Sequence, residues 1–167
     1  MSSECVTLMV ETVLSPSSLS NIDLWEIHWT TETASKMKLL ENNITLASLK
    51  FMNCFGLDLA VPHVAEALHK NKSLRTLGIP SKYSPKKVTP RPVTIYENPY
   101  GENDIDVKSL SEMLKVNKTL KKLETHTIKL TRDDVYTLND ALQDNKTLKH
   151  LVLHPKVVKV IDPRIRS

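Results

Sequence analysis

The tetrapeptide N-x-[ST]-L occurs four times, as Asn43-Ile44-Thr45-Leu46, Asn71-Lys72-Ser73-Leu74, Asn117-Lys118-Thr119-Leu120 and Asn145-Lys146-Thr147-Leu148. A fixed period restricts the fold of a chain more tightly than any composition does. The leucines lie 28, 46 and 28 residues apart, so the long interval is one repeat carrying an 18-residue insertion, visible as the Pro- and Lys-rich stretch 81–98. Leu19, 27 residues before Leu46, opens a degenerate first unit.

Each anchor leucine starts a strand pattern: Leu19, Ile22, Leu24; Leu46, Leu49, Phe51; Leu74, Leu77, Ile79; Leu120, Leu123, Thr125; and Leu148, Leu151, Leu153. The later positions alternate, as in a half-buried strand. Before each Asn lies a helical face, made by Val61, Val64, Ala67, Leu68, then Val107, Leu110, Met113, Leu114, then Val135, Leu138, Ala141, Leu142. The Asn is expected in a left-handed helix stop, which its short amide suits. A helix followed by a strand cannot bury its apolar face alone, so the units must stack. The expected architecture is α/β: a short solenoid of about five units, with a parallel sheet on the concave side and helices on the convex side. One domain over 1–167 accommodates it, with 154–167 as an atypical C-terminal segment.

The units resemble leucine-rich repeats of the ribonuclease-inhibitor type, also carried by cytosolic NACHT-LRR receptors, over roughly residues 19–153. The family's Asn-or-Cys position, eight residues after the anchor, is matched by Cys54, while Ile27, Lys82, Ile128 and Lys156 stand in the other units. The resemblance implies a protein-binding surface on the concave sheet, in a sensing or autoinhibitory role.

Composition closes several other classes. The chain has three glycines, Gly56, Gly78 and Gly101, too far apart for either a dinucleotide-binding turn or a phosphate loop. Two cysteines make neither a disulfide framework nor a four-sulfur zinc site and suit a reducing compartment. No stretch approaches the roughly 18 apolar residues of a membrane span, and no secretory signal opens the chain. A cytoplasmic protein is expected. The net charge of +4 sits in one place, because residues 80–96 carry Lys82, Lys86, Lys87 and Arg91 without an acid. That distribution argues against a basic surface over the whole body.

The repeated N-x-[ST] matches a glycosylation acceptor, but helix stop and strand start already explain its recurrence. Cys54 reads as a small inward apolar residue, with no base or oxyanion device to make it a nucleophile. The insertion's Ser84-Pro85 and Thr89-Pro90 resemble proline-directed kinase targets, although such pairs are common in solvated loops. His126 and His154 fall at equivalent positions of neighbouring strands beside Glu124, at the roughly 4.8 Å strand spacing. His150 is about 13 Å from His154 along its strand. The set is too sparse for a zinc centre, and no metal is assigned.

The reading is a non-enzymatic protein-interaction scaffold without cofactor or small-molecule substrate. Its binding grid is Asn21, Asp23 and Trp25; Ser48, Lys50 and Met52; Thr76, Gly78 and Pro80; Lys122, Glu124 and His126; His150, Val152 and His154. Trp25, Met52 and Pro80 form an apolar row, unless the N-terminal helix folds over Trp25. Two other classes compete. A nucleic-acid-associated protein would use the basic loop and the Lys156, Lys159, Arg164 and Arg166 tail; a metal-assisted hydrolase would use His126 and His154.

Overall fold

The computed structural model describes residues 2–15, 18–52, 54–79, 106–125 and 130–153. Helix α1 (Ser3–Leu14) starts at Ser2, whose hydroxyl accepts from the Cys5 amide, and buries Val6, Val10 and Leu14, one turn apart. Strand β1 (Asn21–Trp25) follows. A five-residue helix α2 (Thr31–Ser35), capped by Thr30, runs into a 3-10 segment (Lys36–Asn42). Its buried Met37 and Leu40 lie three apart, the period at which a 3-10 turn keeps side chains on one face. Then come β2 (Ser48–Met52), α3 (Leu57–Leu68), β3 (Thr76–Ile79), α4 (Val107–Val116), β4 (Lys122–Thr125), α5 (Arg132–Asp144) and β5 (His150–Leu153). Helix α5 opens on a capping box in which Thr131 and Asp134 satisfy each other's backbone amides.

The five strands form one parallel sheet in chain order, β1 to β5. Register follows the repeat: Ile22, Leu49, Leu77, Leu123 and Leu151 occupy one rung. Leu49, Leu77 and Leu123 are buried, and Leu151, on the last strand, is half-buried. The inward residues of the sheet and the expected faces of α3 and α4 make one apolar core with Phe51, Met113 and the anchors Leu46, Leu74 and Leu120. Thr125 replaces an apolar residue on the inward face; its hydroxyl donates to the Val152 carbonyl at 3.3 Å.

Two features differ from the sequence expectation. Leu19, in the degenerate first unit, is 45% exposed, whereas the next three anchors are fully buried. The repeated asparagines, expected to be left-handed, are extended: φ is −76° at Asn43, −68° at Asn117 and −83° at Asn145. The physical reason is that the side chain, not the backbone, terminates the turn.

Each Asn side chain joins its own turn to the previous unit. In Asn71, Oδ1 accepts from the amides of Ser73 (3.0 Å) and Leu74 (2.8 Å), while Nδ2 donates to the carbonyls of Leu40 (2.6 Å) and Asn43 (2.9 Å). Asn43 reaches Leu14 O, Asn117 reaches Leu68 O and Asn145 reaches Leu114 O in the same way. All four are buried, so their amides are committed to the fold and closed to glycosylation in it. The Asn43 contact also defines α1 as the helix of the first unit, since it accepts there as α3 and α4 accept from later units.

Candidate functional site: the outward face of the sheet

Alternation decides which side chains face out. Along β1 exposure switches at every residue, so Asn21, Asp23 and Trp25 are exposed while Ile22 and Leu24 are buried. The paired positions then build rows across the sheet. The first row, Asn21, Ser48, Thr76, Lys122 and His150, is polar throughout. The second runs Asp23, Lys50, Gly78, Glu124 and Val152. In the third, Trp25 pairs with Met52.

Gly78 organises the middle of this face. A Cβ there would stand 2.9 Å from Cγ of Lys50 and 3.6 Å from Oε2 of Glu124, so the missing side chain lets Lys50 lie across the strand. On the far side Lys122 Nζ holds Glu124 Oε1 at 2.7 Å. Among the described residues Asp23 and Lys50 form no ion pair with each other; beside the apolar pair Asp23 is exposed and Lys50 half-buried. Trp25 is 59% exposed. Helix α1 therefore does not cover it. The strand ends just beyond, where Glu26 adopts a left-handed φ of 55° and returns Ile27 to the core.

Cys54 is buried, and its Sγ donates to the Leu24 carbonyl at 3.3 Å in the preceding unit. Burial pushes its thiol pKa up, only partly opposed by hydrogen bonds to its surroundings, so it is a poor nucleophile at neutral pH. Pro80, His126 and His154 of the grid, the paired-histidine arrangement, the Ser84 and Thr89 targets, the basic loop 81–98 and the tail 154–167 lie outside the described residues. Among the described residues no helix is long and apolar enough to cross a membrane, and no cluster of three metal-ligating side chains occurs.

No protein-family model matches the chain, and no curated protein does. Solved structures do. The tropomodulin C-terminal domain of Caenorhabditis elegans superposes with a TM-score of 0.62 at 12% identity, over 98% of this chain and 95% of that one. Leiomodin-1 actin-binding site 2 superposes with a TM-score of 0.60 at 17% identity, over 97% of this chain and 83% of that one. At such identities the likeness establishes the fold, which is of the leucine-rich-repeat type.

Proposed function

We propose that this chain is a non-catalytic scaffold, one short solenoid domain of the cytoplasm, that binds a protein partner on the concave face of its sheet. The observation that carries the reading is Trp25: a 59% exposed tryptophan beside Met52, on a face where alternation leaves it no core to enter. Tryptophan is the residue type most enriched among binding hot spots, and methionine adapts its shape to a neighbour. Asp23 and Lys50, one position earlier on the same face, supply opposite charges that orient what docks there. The recurring leucine pattern resembles ribonuclease-inhibitor-type repeats, and that resemblance in turn implies a sensing or regulatory role. The fold likeness to leiomodin-1 actin-binding site 2 makes actin the first partner to try.

The test is binding of the intact chain and its Trp25→Ala variant to purified actin, monomeric and filamentous. In parallel, capture from a cell extract is quantified protein by protein for the two chains. A partner that depends on Trp25 should bind the variant at least about fivefold more weakly, on the scale of a 1 kcal/mol hot spot, with the melting temperature nearly unchanged. If Trp25→Ala destabilises the fold as much as Leu49→Ala, or if no protein is lost with it, this reading of the face fails.

A further inference from the structure

The second surface lies along the edge where the strands begin. The tetrapeptide is wider than its Asn and Leu in the last three units, which read Asn71-Lys72-Ser73-Leu74-Arg75, Asn117-Lys118-Thr119-Leu120-Lys121 and Asn145-Lys146-Thr147-Leu148-Lys149. A cation occupies both variable places each time. The backbone stacks these turns in register: the Lys121 amide donates to the Arg75 carbonyl at 2.8 Å, and the Lys149 amide to the Lys121 carbonyl at 2.8 Å. Asn145 Nδ2 likewise reaches the Asn117 carbonyl at 3.2 Å, carrying Lys146 over Lys118. Two parallel files result, Lys72, Lys118, Lys146 and Arg75, Lys121, Lys149. Lys121 is half-buried and the other five are exposed.

Segments 69–75, 115–121 and 143–149 also hold Lys70 and Lys115 and contain one carboxylate, Asp144. Lys70 is spoken for by Glu41 at 2.9 Å. Helix-end compensation accounts for two more: Lys118 donates to the Lys115 carbonyl and Lys146 to the Gln143 carbonyl, at the negative ends of α4 and α5. It does not account for the second file. Among the described residues the side chains of Arg75, Lys121 and Lys149 make neither a hydrogen bond nor an ion pair, and like charges this close repel unless an anion is placed between them.

We infer that this edge is a docking surface for an acidic helix of a partner protein, separate from the outward sheet face. Neighbouring rungs are about 4.8 Å apart, close to the 5.4 Å pitch of an α-helix. Carboxylates at i and i+4 of a helix, about 5–6 Å apart, therefore meet successive rungs, and three rungs match about two turns. A groove between the turns of the third and fourth units, lined by Lys72, Arg75, Lys118 and Val116, gives the helix an aliphatic foothold, since Val116 is 52% exposed there. Nucleic acid fits less well. The three segments contain no Phe, Tyr or Trp on which a base would stack.

The experiment uses two labelled, alanine-rich helical peptides of identical composition, about five turns long: one with glutamates at i, i+4 spacing on a single face, the other with them spread around the helix. An oligothymidylate of similar charge is the third probe. Fluorescence anisotropy is read on the intact chain at low and at physiological salt. The single-face peptide should bind at least about tenfold tighter than the spread one and weaken with salt. The Arg75→Gln/Lys121→Gln/Lys149→Gln variant should lose at least about tenfold while keeping its urea midpoint. Should that variant shift its midpoint, Lys149→Gln alone is read, with a smaller loss expected. Equal binding of the two peptides, no binding of either, tighter binding of the oligothymidylate, or indifference to the substitutions overturns the inference.

Discussion

Asn71→Ala is the substitution that best tests how the units are held together. Besides its contacts with the Ser73 hydroxyl, the side chain donates to two backbone carbonyls and accepts from two backbone amides, and removing it affects these four backbone partners unequally. The Leu40 carbonyl still accepts from the Asn43 amide (3.2 Å), and the Asn43 carbonyl still accepts from the Ser73 hydroxyl (2.7 Å). Ser73 is only half-buried, whereas the Leu74 amide belongs to a fully buried residue and is left without a partner. Two lost bonds at about 1 kcal/mol each, plus an orphaned buried donor at about 1–3 kcal/mol, give a cost of about 3–5 kcal/mol. Urea unfolding followed by circular dichroism measures it. Asn42→Ala, the same chemical change at an exposed neighbour, should stay within about 0.5 kcal/mol. Asn71→Asp adds a sign. It keeps both acceptors but turns an oxygen toward the Leu40 and Asn43 carbonyls, which disfavours the ionised form and raises its folded pKa above the unfolded value of about 3.9. The folded state then holds the proton more tightly, so this variant should gain stability as pH falls through that raised value and lose it as pH rises. If Asn71→Ala and Asn42→Ala shift the midpoint alike, the side-chain ladder does not hold the units together.

Three further outcomes follow from single sites. Gly56, at the start of α3, has a φ of 69°, and a Cβ there would stand 2.8 Å from the Trp29 carbonyl oxygen; Gly56→Ala should cost at least about 1–2 kcal/mol in thermal unfolding. Maleimide labelling of the native chain should modify exposed Cys5 rapidly and buried Cys54 only once urea is added; fast reaction at both would refute the inward placement of Cys54. Asp106 caps α4 by accepting from the Ser109 amide at 3.0 Å, so Asp106→Ala should cost about 1 kcal/mol. Burial pushes the Asp106 carboxyl up, but the bonds from Ser109 and Lys108 outweigh it and leave its pKa lowered. That contribution is therefore full above the unfolded carboxylate range and should disappear as pH falls through the folded value, seen as convergence of the two proteins' urea midpoints in acid.

The period was enough to read the sheet, because a one-residue error in register would turn a strand's whole apolar set outward. The pairing of Trp25 with Met52, and the burial of Leu49, Leu77 and Leu123, follow from counting 27 or 28 residues. Propensity could not show that the second unit is mainly 3-10, because Met37 and Leu40, three apart, fit either helix. The role of Asn is not legible in the sequence for a related reason: helix stops commonly place Asn in the left-handed region, and only tertiary contact reveals that its amide is engaged with the preceding unit. The cationic edge leaves no mark on the charge distribution along the chain. Summed along the chain, the excess falls in residues 80–96; sorted by repeat position, Lys or Arg recurs at both variable places of three successive turns.

The division of labour inside the turn explains how such an edge can vary without disturbing the fold. Asn and Leu point inward and are fixed by the ladder and the core; the residue between Asn and Ser/Thr is exposed in every unit, and the one after Leu is exposed or half-buried. The second unit shows the consequence: it keeps Asn43 and Leu46 buried but places Ile44 and Ala47 where later units have cations, and Ile44 is exposed. Its turn is bonded to its neighbours in the same way, with the Ala47 carbonyl accepting from the Arg75 amide at 2.8 Å. The backbone therefore carries the repeat whichever side chain is shown. The change from Ile44 to Lys72 along the file is chemistry presented to the outside, and it marks where an acidic helix laid on this edge would end.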